Sequence, residues 1–346
     1  MRVAVLGRTK ILYDTIDKVK DAGHEIVLIG TCKAAIESEI READFEKKAK
    51  EMGIPFFYDS KINADPVLSM LREAEADIAI SINWVTVIED EAIESFKYGI
   101  LNAHCGDLPR YRGNACPNWA ILNGEKEYGL SIHFMVPGEL DSGNIVIKKK
   151  YEINKGTTIT DVYNNLENEI PELFCEALDA VLVNGKYEIQ STNPKDALRC
   201  YPRIPYDSII DWNQPCDNII RLVNASTLPF EGAYTFYDNR KLYIHEAVSS
   251  SYEYPCCVVP GQVIFVDKIN GEVRIAALDG FIKIEHFHVG GVKIPASSIL
   301  RSTRIRLGYK TQEELWNLNK KIDILQKEII EMKKLLNDYT EIARSK

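Results

Sequence analysis

No apolar run in this sequence reaches the roughly 18 residues that a membrane-spanning helix needs. Its start, Met1-Arg-Val-Ala-Val-Leu-Gly7, lacks the charged, apolar and small-residue zones of a signal peptide, so a cytoplasmic protein is expected. Eight cysteines are scattered through the chain without a Cys-x-x-Cys pair, which predicts reduced thiols and no metal. Cys256-Cys257 reads as two unrelated thiols, because adjacent residues of a strand face opposite ways. Gly7 stands alone where a dinucleotide fingerprint needs three spaced glycines, which argues against a nicotinamide cofactor. Basic excess is absent too: the formal charge of −9 excludes a general polyanion binder while leaving room for a local basic groove.

What is present is ample for a sizeable core: 346 residues, 45% hydrophobic and 27% charged, ordinary proportions for two folded domains. Residues 2–7 and 25–30 read as buried strands around a helix at 11–22. Helical patterning follows near 34–52 and 65–75, with short apolar strands at 55–58 and 77–82. This alternation predicts an α/β domain over residues 1–200, with a mostly parallel Rossmann-like sheet covered on both faces.

From residue 201 the texture changes. Alternating segments at 232–237, 241–245, 263–266, 272–276 and 281–285 are separated by Asp-Asn, Pro-Gly, Asn-Gly and Asp-Gly turns. They predict a small antiparallel β-barrel-like (OB-like) domain over 201–305. A C-terminal helix over 311–346 completes the chain. It carries Leu315, Leu318, Ile322, Leu325, Ile329, Met332, Leu336 and Tyr339 at alternating three- and four-residue steps, a heptad seam. Either the helix pairs with a second copy or it lies on its own subunit, and the wider apolar stripe that Ile324 and Ile330 add favours pairing.

The densest run of chemically capable residues is Ile100-Leu-Asn-Ala-His-Cys-Gly-Asp-Leu-Pro109, continuing into Arg110-Tyr-Arg-Gly113. On a strand, Asn102 and His104 lie two apart and point to one face, and the turn beyond sets them near the strand's carboxyl end, where open α/β sheets bind ligands. An amide donor beside an imidazole suits acyl transfer: the amide stabilises an oxyanion and the imidazole exchanges protons near neutral pH. On spacing alone, a histidine held in a structural network is the favoured reading. Asp141 lies in the loop Met135-Val-Pro-Gly-Glu-Leu-Asp-Ser-Gly143, placed either to orient an imidazolium or to form an Asx turn. Spacing does not show whether it reaches His104.

Taken together, Asp77–Ile82 leading to Asn83-Trp84, Leu101-Asn-Ala-His104, Leu108-Pro-Arg-Tyr-Arg-Gly113, Gly129-Leu-Ser-Ile-His133 and Asp141-Ser-Gly143 resemble the 10-formyltetrahydrofolate-dependent formyltransferases. That family includes methionyl-tRNA, glycinamide ribonucleotide and nucleotide-linked amino-sugar enzymes. The resemblance implies a catalytic trio of Asn102, His104 and Asp141. It also implies folate contacts at Ile82, Asn83 and Trp84 on one side and at Val136, Gly138 and Leu140 on the other. Tyr201-Pro-Arg203, Ile210-Asp-Trp212, Arg221-Leu-Val223 and Pro229-Phe-Glu-Gly-Ala233 resemble the barrel domain of the methionyl-tRNA and amino-sugar enzymes, a domain that the glycinamide ribonucleotide enzymes lack. One departure stands out: Cys105-Gly106-Asp107 replaces the frequent Pro-Ser-Leu, which leaves the trio intact and bears on the acceptor.

For the acceptor, the resemblance to methionyl-tRNA enzymes leads one to expect a basic, glycine-containing loop after the second strand. The stretch Cys32–Lys50 instead mixes acids with bases and has no glycine. The expected acceptor is therefore a nucleotide-linked amino sugar of the lipopolysaccharide O-antigen kind, with methionyl-tRNA the alternative and nucleic acid otherwise disfavoured. Asp107, Arg110, Asn114, Tyr201 and Arg203 are the candidate acceptor contacts, offering cations for a diphosphate and a flat ring for a base. Arg112 is expected to fix its loop. Amino-sugar enzymes commonly dimerise, so the resemblance also implies a homodimer. A non-catalytic binding protein that kept the fold is the alternative of another class.

Overall fold

The computed structural model describes residues 1–34, 39–191, 193–238, 240–308 and 311–344, with side chains over 311–314 and 337–344 left aside. Among the described residues, eight strands and six helices build the first domain. They are β1 (Arg2–Gly7), α1 (Lys10–Asp21), β2 (Glu25–Thr31), α2 (Glu42–Met52), β3 (Phe56–Tyr58), α3 (Asp65–Glu73), β4 (Ile78–Ile82), α4 (Asp90–Glu94), β5 (Ile100–His104), β6 (Arg112–Gly113), α5 (Cys116–Asn123), β7 (Glu127–Phe134), β8 (Ile145–Glu152) and α6 (Ile159–Leu182). Seven strands form one sheet in the order β3-β2-β1-β4-β5-β7-β8. The first five are parallel, and β7 runs antiparallel to both its neighbours.

The continuous apolar runs of β1, β2 and β4 follow from burial on both faces. One face packs Leu12, Ile16 and Val19 of α1 with Phe45 of α2 and Leu166, Leu173 and Phe174 of α6. The other takes Val67, Leu68 and Leu71 of α3 and Ala92 of α4. The expected helix at 34–52 is shorter among the described residues. It starts at Glu42, after an extended Arg41 whose backbone N–H is capped by the Asp44 carboxylate at 2.7 Å.

A two-stranded parallel ladder between β6 and β9 (Arg199–Cys200) ties the loop after β5 to the linker beyond α6. Next come α7 (Cys216–Ser226), β10 (Ala233–Tyr237), β11 (Arg240–Ile244), β12 (Val248–Ser250), β13 (Val263–Val266), β14 (Val273–Ala276), β15 (Phe281–Ile284), β16 (His286–Val289), β17 (Val292–Pro295) and α8 (Ala296–Ile299). Two four-stranded antiparallel sheets, β10-β11-β16-β17 and β12-β15-β14-β13, enclose a core around Trp212, Val223, Ile275 and Phe287, a small barrel-like domain. Cys256 and Cys257 sit in an irregular exposed segment and not in a strand, so the alternation argument does not apply to them; both thiols are free. The domains meet through Asn118 Nδ2, which donates to the Ala225 carbonyl at 2.9 Å, and Trp119 Nε1, which donates to the Tyr201 carbonyl at 2.9 Å.

The last element is α9 (Thr311–Arg344). Its described seam residues are about half exposed, so it does not lie on its own subunit as an amphipathic helix would; the side chain of Tyr339 lies outside the described residues. No described helix is long and apolar enough to cross a membrane.

Candidate active site

β5 places Asn102 and His104 on one sheet face, and its antiparallel neighbour β7 brings His133 opposite Asn102. His133 Nδ1 donates to the Phe134 carbonyl at 2.8 Å, which leaves Nε2 to accept from Asn102 Nδ2 at 3.3 Å. The amide orientation and one of its two hydrogens are thereby fixed, and the second hydrogen remains available.

His104 Nε2 donates to the Tyr111 carbonyl at 2.6 Å, so its unprotonated nitrogen is Nδ1. That atom faces Asp141 Oδ2 at 3.5 Å. The two rings, His104 and His133, meet edge to face at 6.1 Å between centroids. Gly106 makes the tight turn possible, because a Cβ there would stand 2.2 Å from the Tyr111 carbonyl oxygen and 2.5 Å from His104 Nε2.

Asp141 comes from a loop that leaves β7 beside the amino end of β5 and folds back over the sheet face. Its backbone is left-handed at φ 53°, an uncommon conformation for a residue other than glycine. Gln190 pins this turn: its Nε2 donates to the carbonyls of Asp141 at 3.0 Å and Gly143 at 2.7 Å, while its Oε1 accepts from Arg112 at 2.7 Å. The Gly113 N–H donates to Asp141 Oδ2 at 2.8 Å, and His133 Nε2 lies 3.6 Å from Oδ1.

Burial pushes the Asp141 carboxyl up, but His104, His133 and the Gly113 N–H outweigh it and hold it at about 2. Burial lowers His104 below its ordinary value, opposed by the Asp141 charge and helped by His133. At neutral pH the pair therefore rests as an ionised carboxylate beside a neutral, largely buried imidazole.

The structure thus brings together Asn102, His104 and Asp141, which spacing alone could not do for Asp141. Ile82, Asn83 and Trp84 stand at the end of β4, one strand over, where Ser81 pairs with Asn102. Asn83 is also left-handed, at φ 59°. Trp84 and Met135 pack against the same core cluster, which links the β4 end to the loop bearing Val136, Gly138 and Leu140. Val136 and Leu140 are 39% and 47% exposed, apolar surface turned to solvent.

Asp107 and Arg110 line a cavity of about 450 Å³ with Cys105, Tyr111, Tyr128 and Lys150, beside the catalytic-face loop. Asp107 pairs with Lys150 at 2.8 Å and Lys148 at 3.6 Å. Asn114, Tyr201 and Arg203 do not line it. Asn114 and Tyr201 are exposed, and the Arg203 guanidinium bonds to the Ala225 and Asp207 carbonyls and to Ser208 and Ser226. Sequence reading missed Gln190 and His133 as site residues. His133 was visible within Gly129-Leu-Ser-Ile-His133, whereas Gln190 carried no local signal. Among the described residues no cluster of His, Cys, Asp or Glu is arranged to hold a metal.

A parallel sheet with a polar site on one face is followed by a small barrel, and comparison with known proteins fixes the class. The formyl transferase model matches residues 1–178 and the formyl transferase C-terminal domain model residues 204–304, so the chain belongs to the formyl transferase family and is a formyl-transfer enzyme. A methionyl-tRNA formyltransferase of Geobacter metallireducens is 30% identical over 265 residues, 76% of this chain and 82% of the relative. An N-formyltransferase from Helicobacter canadensis, solved with folinic acid and dTDP-3-aminofucose, shares the fold at TM-score 0.60 and 17% identity, covering 83% of this chain and 100% of that one. HypX from Aquifex aeolicus, solved with tetrahydrofolic acid, has TM-score 0.57 and 17% identity over 87% of this chain, which spans 47% of HypX.

Proposed function

We propose that this enzyme moves the formyl group of 10-formyltetrahydrofolate to the amine of a nucleotide-linked amino sugar, in the cytoplasm and as a homodimer. The observation that carries the chemistry is the neutral His104, with Nδ1 turned to an ionised Asp141 and Asn102 beside it. Ile82, Asn83 and Trp84 with the Val136–Leu140 loop would hold the folate, which supplies the activated formyl carbon. Asn102 offers its second amide hydrogen to the formyl oxygen as the amine nitrogen bonds to the formyl carbon. His104 Nδ1 accepts the proton that the amine loses, and the resulting imidazolium is stabilised by Asp141. Collapse breaks the carbon–nitrogen bond to the folate, and His104 returns the proton to the departing nitrogen, so charge and atoms balance.

Two features support a small acceptor. The cavity lined by Asp107 and Arg110 has the size of a small-molecule site. The stretch Cys32–Lys50 holds five basic and five acidic residues. Of these, Lys48 is buried against Asp17 at 2.6 Å and lies over the Tyr13 ring. Residues 35–38 of this stretch lie outside the described ones. Among its described residues, acids offset the bases, without the clustered positive charge that an RNA stem requires. A second reading, methionyl-tRNA as acceptor, is favoured by the sequence relatives, which carry that name over most of the chain.

The test is direct. Purified enzyme with 10-formyltetrahydrofolate is offered a panel of thymidine-, uridine- and guanosine-diphosphate amino sugars and, separately, methionyl-tRNA, with products read by mass spectrometry. A sugar gaining a formyl group supports the proposal. Formylation of methionyl-tRNA at about 10⁴ M⁻¹s⁻¹ or above, with every sugar unchanged, overturns the choice of acceptor.

A further inference from the structure

α9 is 34 residues long, on the order of 50 Å of helix. Along it Leu315, Leu318, Ile322, Leu325, Ile329 and Met332 are between 46% and 61% exposed, a continuous apolar seam of a length that a lone soluble helix does not leave in water. The heptad assigns Leu315, Ile322, Ile329 and Leu336 to the a positions and Leu318, Leu325 and Met332 to the d positions.

We propose that α9 joins two copies of this chain as a parallel, in-register, two-stranded coiled coil. Three features select this occupant and this orientation. β-Branched Ile322 and Ile329 at a, with Leu318 and Leu325 at d, is the packing that favours two parallel strands. Glu328 occupies a g position and Lys333 the e position five residues later. In a parallel pair each Glu328 therefore faces Lys333 of the second copy, and symmetry makes the contact twice. In an antiparallel pair g faces g and e faces e, and these two charges do not meet. Finally, Leu335 at g flanks the seam, where pairing covers it, and the other exposed apolar residues fall outside it, Ile324 at c and Trp316 and Ile330 at b, on the far side from the partner. Trp316 there is covered by its own Lys320, whose ammonium lies 3.8 Å from the ring centroid.

Because each α9 follows its own barrel domain, a parallel coil places both bodies at the same end of the coil. The coil itself needs no contribution from either active site, so this inference does not depend on the identity of the acceptor.

Sedimentation equilibrium of the full chain tests it. The wild type should have twice the chain mass at micromolar concentration, and Ile322→Lys with Ile329→Lys should have the chain mass with the thermal unfolding of the body unchanged. A monomeric wild type, a trimer or tetramer, or a double variant that stays dimeric would each overturn the proposal. Orientation is read from Ile322→Cys, whose sulfurs meet across an a layer only in a parallel, in-register pair. Mild oxidation should give a dimer whose peptide mass map shows a 322–322 link, and absence of that link in an oxidised dimer overturns the parallel register.

Discussion

Gln190 grips the backbone of Asp141 from a part of the chain that holds none of the motif residues. Its side-chain amide donates to the Asp141 and Gly143 carbonyls while its oxygen accepts from Arg112, so one buried amide uses three of its bonding positions to fix a left-handed turn. Leucine at this position fills a similar volume and satisfies none of the three groups. Gln190→Leu should therefore fold but let the Asp141 carboxylate drift from His104, lowering turnover by about 10²-fold, the scale of a misplacement of 1 Å. Single-turnover rates check this, with the acid limb of the pH profile as the second readout, since a purely structural loss would leave that limb in place.

In the proposed mechanism His104 and Asn102 act on the same intermediate at different atoms, which makes a variant at the imidazole informative. His104→Asn removes the proposed base and should lower turnover by about 10²-fold or more, with acceptor affinity little changed. Steady-state kinetics with equilibrium binding separate the two effects. Turnover near wild type in that variant would rule out proton transfer through His104.

Much of this arrangement was readable in the chain. Asn102 and His104 share a face because strand alternation puts them there, and the continuous apolar runs of β1, β2 and β4 announced a sheet covered on both sides. Asp141 was not readable by spacing, because its distance to His104 is set by an antiparallel return through β7 and a turned-back loop, a tertiary fact. Gln190 was invisible for the same reason, and a glutamine before Ser191 has no local signature. The reading placed the helix before β3 too early, since apolar periodicity through Ala34 and Ile40 continues past the real start, where Arg41 and Asp44 make the cap. The barrel's β12, β16 and β17 went unnoticed: β12 spans only three residues, and β16 follows β15 after Glu285 alone, with no turn residues to separate the two strands.

The charge state of the pair sets the pH dependence. Burial lowers the His104 pKa below its ordinary 6.5, so the neutral form proposed as the base predominates at pH 7, and protonation removes it only as pH falls further. The Asp141 carboxyl, held at about 2, stays ionised throughout. With an acceptor amine kept saturating, turnover should be level from pH 8 to 7 and decline below about 6.5. The Asp141 charge raises the His104 pKa, so Asp141→Asn should move the residual acid limb to lower pH as it reduces the rate. A limb that moved upward would show that the carboxylate does not face the base.

Gly106 offers the sharpest steric test, because its backbone is not in the left-handed region and an alanine there is penalised by contact alone. The added Cβ would stand 2.2 Å from the Tyr111 carbonyl oxygen and 2.5 Å from His104 Nε2, a backbone atom and an enclosed ring, neither of which is the free end of a flexible chain. Something must shift, and the bond most exposed to that shift is the one from Nε2 to the Tyr111 carbonyl. Losing it frees the imidazole to carry its proton on Nδ1, the atom that must be bare to act as base. Gly106→Ala should lower turnover by about 10²-fold. Nitrogen chemical shifts of His104 should show a mixture of tautomers where the wild type shows protonated Nε2. Gly156→Ala is the matched control, since a Cβ there meets nothing within 4 Å and no left-handed backbone is involved. Equal turnover in the two variants, or a single wild-type tautomer in Gly106→Ala, would show that the Tyr111 carbonyl does not set the state of the base.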